Sequence, residues 1–242
     1  MAERAASRHL IPGRRPVAEA LRAGRSLTEL LVVEADDDLA ALARDAGVAV
    51  RVRPRAELDD RAGGVLHQGV LAVAPPFAYV ALASLTGDLV VVLDGITDPQ
   101  NLGAIARSAE AAGAAGLVLP KRRSAHVTPA VEKAAAGALS WLPIALVPNL
   151  ARALAGLAER GLWSVGLAGE ARETIWECGL LEGPTALVVG AEGAGLSRLV
   201  AERCDATVRI PLAGSVESLN ASAAAAVALF EVRRRRQDTT NS

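Results

Sequence analysis

Three short segments of this 242-residue chain hold the side chains best suited to do chemistry. The first runs from Asp94 to Arg107 and carries Asn101 six positions before Arg107. The second, Gly190 to Ser197, sets Glu192 among Gly190, Gly193 and Gly195. The third, Ile210 to Ser222, contains Ser218, Asn220 and Ser222. Amides and a carboxylate can orient a hydroxyl, and a guanidinium can hold an oxyanion. Glycines let a backbone approach a ligand closely and can present N–H groups at a helix start. Each segment alone also has a plain structural account. Asn101 or Ser218 could cap a helix, and Arg107 could pair with Glu110 at the surface. Asn220 in a first helical turn is a poor helix former and needs more explanation. Cys178 and Cys204 stand far apart with no second Cys or His at metal spacing, so neither a zinc site nor a disulfide framework is expected. His9, His67 and His126 are scattered and receive no catalytic role.

The elements that must position these segments alternate from Leu89 onward. Leu89–Leu93 is a continuous apolar run of the kind found in buried parallel strands. A helix is expected over 102–112, with Leu102, Ile105, Ala106 and Ala109 on one stripe and Arg107 roughly opposite. Further strands are expected at 116–119, 142–147, 162–167, 185–189 and 206–210, with helices at 129–139, 150–160 and 196–203 and a long final helix over 218–235. This alternation predicts an open parallel sheet with helices on both faces, where ligands bind beyond the carboxyl ends of the strands. All three segments fall at such ends. Residues 1–74 read as a separate small α/β unit, with helices over 16–23 and 36–46 and strands over 27–34, 48–52 and 67–74. The proline-bearing stretch 75–88 reads as a linker, which leaves 89–242 as the larger domain.

Composition bounds the partners. Hydrophobic residues make up 51%, enough for a sizeable core, and the formal net charge is −1. Lys121 and Lys133 are the only lysines; every other basic residue is arginine, a bias that a GC-rich genome would produce and that also suits phosphate recognition. Arg4, Arg8, Arg14, Arg15, Arg22 and Arg25 cluster near the start and form the better candidate surface for phosphates, whereas Arg233–Arg236 could equally complement a helix C-terminus. No signal-type apolar segment and no apolar run long enough to span a bilayer is present, so a cytoplasmic protein without membrane contact is expected.

Together the three segments resemble the motifs of the SpoU (TrmH-like) class of RNA ribose 2′-O-methyltransferases. Asn101 and Arg107 match its first motif, Glu192 between glycines its second, and Ile210-Pro211 with Ser218-Leu219-Asn220 its third. Gly13 to Leu21 and His67 to Val70 look like the N-terminal RNA substrate-binding domain of the class. Within the class, residues 94–104 and 120–125 look most like bacterial 23S rRNA guanosine 2′-O-methyltransferases. Ala221 stands where many relatives carry valine. The resemblance implies an α/β fold whose parallel-sheet SPOUT domain holds a deep trefoil knot, preceded by a ribosomal-protein-like RNA-binding domain. It also implies a homodimer with its active site near the interface. S-adenosylmethionine is the implied co-substrate, held through the backbone at Gly190, Ile210 and Leu219, with no metal. Asn101, Arg107, Glu192, Ser218 and Asn220 are the implied catalytic set. A permanently charged Arg107 suits phosphate binding and alkoxide stabilisation better than a base, leaving a substrate phosphate or Glu192 to take the proton.

Other readings remain at this level. A nucleotide-binding α/β protein could use the Gly190 loop, although no G-x-G-x-x-G follows a first strand. A non-catalytic RNA-binding factor would be expected to have lost the polar motif residues. Within the class, tRNA or an antibiotic-resistance site on rRNA is the alternative substrate.

Overall fold

A computed structural model describes residues 8–34 and 38–240, with the side chains of 238–240 excepted. The chain divides into two compact units, one of residues 1–78 with 126–141 and one of 79–125 with 142–242. The division is not the linear one that composition suggests. Residues 126–141 lie in the middle of the larger domain's sequence yet cluster with the N-terminal unit.

Among the described residues, the first unit holds β1 (His9–Pro12), α1 (Arg14–Arg22), β2 (Glu29–Val32), α2 (Asp38–Asp45), β3 (Ala49–Val52), α3 (Arg55–Ala62) and β4 (Val70–Ala74). The inserted helix Pro129–Ala135 belongs to it as well. The strands order β1-β4-β2-β3, with β4 antiparallel to both neighbours and β2 parallel to β3. Central β4 is buried along its whole length, which fits its unbroken Val-Leu-Ala-Val-Ala sequence. One sheet face packs Ile11, Leu30, Val32, Val70 and Ala72 against α1 and α2 residues such as Val17 and Leu39. The other packs Leu31, Leu71 and Val73 against Leu58 of α3. Asp36, expected at the start of the second helix, lies outside the described residues.

The second unit is built on seven strands: β5 (Leu89–Asp94), β6 (Gly116–Pro120), β7 (Ile144–Val147), β8 (Trp163–Leu167), β9 (Glu173–Thr174), β10 (Thr185–Gly190) and β11 (Ala206–Arg209). Every pairing is parallel. The helices are α4 (Pro99–Ala111), α6 (Leu150–Ala158), α7 (Arg198–Ala201) and α8 (Ala221–Thr240); the inserted helix Pro129–Ala135 is α5 in chain order. Strand order is β7-β6-β5-β10-β8-β11-β9. Thus β10 returns between β5 and β8, and β11 between β8 and β9. The last third of the chain re-enters the middle of the sheet.

Register carries the consequence for function. Gly190 ends β10 directly beside Asp94 at the end of β5, and Val208 of β11 pairs with Leu167 at the end of β8. The three polar segments therefore leave one edge of the sheet side by side. The stretch 75–88 is partly ordered as packing: Val80 bridges to Ala145, Leu85 is fully buried, and the Arg160 guanidinium donates to the Leu82 and Leu85 carbonyls. No helix among the described residues is long and apolar enough to cross a membrane.

Candidate active site

Asp98 caps α4. Its carboxylate accepts from the Gln100 and Asn101 amides at 3.0 and 3.4 Å, and Pro99 follows at the first helical position, where its missing N–H costs nothing. Asn101 is therefore not the cap that its type allows. It sits inside the first turn, only 7% exposed, with its side chain available. Its Nδ2 donates to Glu192 Oε2 at 3.3 Å.

Glu192 rides on a hairpin. The Ala191 and Gly195 backbones exchange hydrogen bonds of 3.0 and 2.8 Å, and Gly193 and Gly195 adopt left-handed conformations that glycine supplies at no steric cost. A Cβ on Gly190 would stand 2.2 Å from the Gly195 carbonyl carbon, so only glycine lets the returning chain cross there. Because the Ala191, Ala194 and Gly195 amides bond within the hairpin, these N–H groups are not the open ligand cradle expected from the glycines. The hairpin instead presents a carboxylate. Its far side is anchored where the Ser197 amide donates to Asp94 Oδ2 at 2.7 Å.

Asn220 uses both ends of its amide. Oδ1 accepts from the Ser222 amide at 2.9 Å and from Ser222 Oγ at 2.6 Å, which caps α8, while Nδ2 donates to Glu192 Oε2 at 3.2 Å. The cap is thus Asn220 and not Ser218, and α8 begins at Ala221 instead of 218. One carboxylate oxygen consequently joins all three segments.

Beside this junction is a cavity of about 470 Å³. Gly190, Ile210 and Leu219, expected to hold the methyl donor, all line it, as do Glu192 and Ser218. Leu167, Val189 and Val208 add apolar wall, and Glu170 and Glu217 add further carboxylates. Arg209 is the one basic residue among the lining residues, so the cavity offers no cradle for a polyphosphate. This disfavours the NAD or ATP reading. Sequence reasoning missed Leu167 and Glu170, which enter from β8 and its following turn; no motif marks them. Arg107 is not part of the lining. It is exposed on α4, and among the described residues it meets neither Glu110 nor another carboxylate. No group of His, Cys, Asp or Glu able to hold a metal is found among the described residues.

The basic clusters divide differently from expectation. Arg25 turns inward to pair with buried Glu132 at 2.8 Å, and Arg22 pairs with Glu19 at 2.6 Å. Arg8, Arg14 and Arg15 are exposed; Arg4 lies outside the described residues. The Arg233–Arg236 run does not end its helix, which continues to Thr240. Arg234 and Arg235 hold Glu231, whose carboxyl their hydrogen bonds pull below the usual range, and Arg236 pairs with Asp88 at 3.0 Å. Those three serve the packing of the second unit.

Comparison with known proteins follows the same lines. Residues 88–230 match the family model of the SpoU rRNA Methylase family, and residues 10–80 match that for RNA 2′-O ribose methyltransferase substrate binding. An "Uncharacterized tRNA/rRNA methyltransferase" of Mycobacterium avium is 44% identical over 98% of this chain and 80% of its own length. The "23S rRNA (guanosine-2'-O-)-methyltransferase RlmB" of Photobacterium profundum is 44% identical over 80% of this chain and 82% of its own. Among solved structures, the SpoU methyltransferase AviRb from Streptomyces viridochromogenes, in complex with AdoMet, superposes with a TM-score of 0.80 at 29% identity, covering 96% of this chain and 91% of AviRb.

Proposed function

Because the chain belongs to the SpoU rRNA Methylase family, we propose that it methylates a ribose 2′-hydroxyl of RNA, at a guanosine of 23S rRNA, with S-adenosylmethionine as donor. The observation that carries this reading is the single Glu192 oxygen shared by Asn101 and Asn220 beside the cavity lined by Gly190, Ile210 and Leu219. Size and lining fit the donor. Apolar Leu167, Val189, Ile210 and Leu219 suit an adenosyl group, and carboxylates at Glu170 and Glu217 suit a cation. Bound there, S-adenosylmethionine would supply an electrophilic sulfonium methyl.

The chain's own residues then have to orient a weak nucleophile and help its proton leave. Asn101 and Asn220 fix one Glu192 oxygen, which leaves the other to accept from the ribose hydroxyl. Asn220 links this orientation to the start of α8, and Ser218 shapes the floor. Arg107 holds the target phosphate and stabilises the developing alkoxide. Its exposure outside the cavity lining supports a homodimer in which each copy lends Arg107 to the other's site. Val227 and Phe230, 36% and 50% exposed on α8, supply an apolar face for that pairing. An rRNA substrate would place the protein in the cytoplasm.

Two measurements test the proposal. Calorimetry should detect S-adenosylmethionine binding to the full chain, and a deletion strain should lose one 2′-O-methyl mark on 23S rRNA that wild-type protein restores. Absence of donor binding would refute it, and a missing mark on tRNA would move the substrate assignment. Arg107→Ala should abolish transfer while donor affinity is kept.

A further inference from the structure

Lys133 lies within the span of the methylase family model but in the N-terminal unit of the fold. Its Nζ donates to Gln68 Oε1 at 2.9 Å and stands over Gly13, where an added Cβ would be 2.6 Å away. Among the described residues, no carboxylate lies within ion-pair distance of it. Burial pushes the ammonium below the ordinary lysine range. This cation is thus partly desolvated without a compensating anion.

Its neighbours are held in place. His67 is 2% exposed, and its Nδ1 accepts from the Gly69 amide at 3.1 Å. Its Nε2 therefore carries the proton and donates to Asp59 at 2.7 Å. The turn so fixed keeps Gln68 left-handed at φ 54°, a conformation unusual outside glycine, and aims its carboxamide at Lys133. An ammonium has donors only, so Gln68 must turn its oxygen inward and its NH₂ outward. The result is two remaining ammonium donors beside an amide NH₂, with exposed Arg14 and Arg15 following Gly13 in the chain. In a chain that otherwise uses arginine for nearly every positive charge, this position keeps the compact cation.

We infer that Lys133 and Gln68 form a preorganised phosphodiester-binding site on the N-terminal unit, through which the substrate RNA is gripped. The inference rests on the RNA-methyltransferase reading above and adds a substrate contact from outside the substrate-binding segment at residues 10–80.

The test uses the full chain and an in vitro transcribed 23S rRNA fragment, with affinity followed across a salt series. Lys133→Met should weaken binding about tenfold and lower the slope of log K against log salt by about one phosphate contact, while Lys133→Arg keeps the slope. S-adenosylmethionine affinity should stay unchanged in both. Gln68→Glu gives the ammonium an internal anion, so the fold is supported while the phosphate is repelled; its RNA affinity should fall as far as that of Lys133→Met. Wild-type affinity and slope in folded Lys133→Met, or in Gln68→Glu should Lys133→Met not fold, would overturn the inference. Failure of wild-type protein to methylate any RNA would count against the functional reading instead, because binding and its salt slope are read separately.

Discussion

Glu192 accepts two amide N–H bonds through one oxygen, a place a glutamine's carbonyl oxygen could also fill, but the glutamine NH₂ would then replace the second oxygen, the one proposed to accept from the ribose hydroxyl. Glu192→Gln should therefore lower single-turnover methyl transfer by about 10²-fold, with donor affinity changed little. Gly190→Ala acts differently. Its Cβ meets backbone at 2.2 Å, so the hairpin must open and donor binding itself should be lost in calorimetry. The cysteines should be quiet: burial, with Asp205 and Asp94 nearby, pushes the Cys204 thiol up to about 12, and burial also raises Cys178. At pH 8 both stay protonated, so mass spectrometry after iodoacetamide treatment should find them labelled only in denaturant. At this scale the types Asn101, Glu192 and Asn220 were legible from the chain alone, but their partners were not. Several Asp, Asn and Ser residues crowd each helix start. Type alone does not separate a cap, as Asp98 proves to be, from a side chain left for the site, as Asn101 is.

Elements were legible where burial is two-sided. The apolar runs of β5 and β10 announce themselves because each is covered by neighbours and helices. β1 and α3 escaped notice for the opposite reason. The first is only four residues long, and the second buries only Leu58 and Ala62 behind a charged surface. Nor does periodicity reveal where α5 packs. Its Glu132 is 1% exposed and accepts from His9 at 2.7 Å and Arg25 at 2.8 Å, and Phe77 lies 5.3 Å from the Arg25 guanidinium. Removing the carboxylate strands the buried guanidinium. Glu132→Ala should cost about 3–5 kcal/mol in urea unfolding followed by circular dichroism.

For the whole molecule, strand order and the three-way crossing between units lay beyond pattern reading, because both depend on contacts distant in sequence. The fold class and the mouth of the sheet did not, since parallel strands dictate them. The proposed exchange of Arg107 between copies makes a prediction of its own. Mixing Arg107→Ala with Glu192→Ala, each inactive alone, should restore about a quarter of wild-type activity if subunits reassort, since half of the dimers then hold one intact site. Arg107 acting within its own chain would leave the mixture dead. The insertion of residues 126–141 into the first unit also has a practical outcome. A gene fragment cut after residue 78 would encode an incomplete N-terminal unit, lacking α5. The remaining fragment would carry an orphaned helix whose Val131, Glu132 and Ala135 lose their cover. Any shorter relative born by losing that half must have rewritten this helix or found it another shelter.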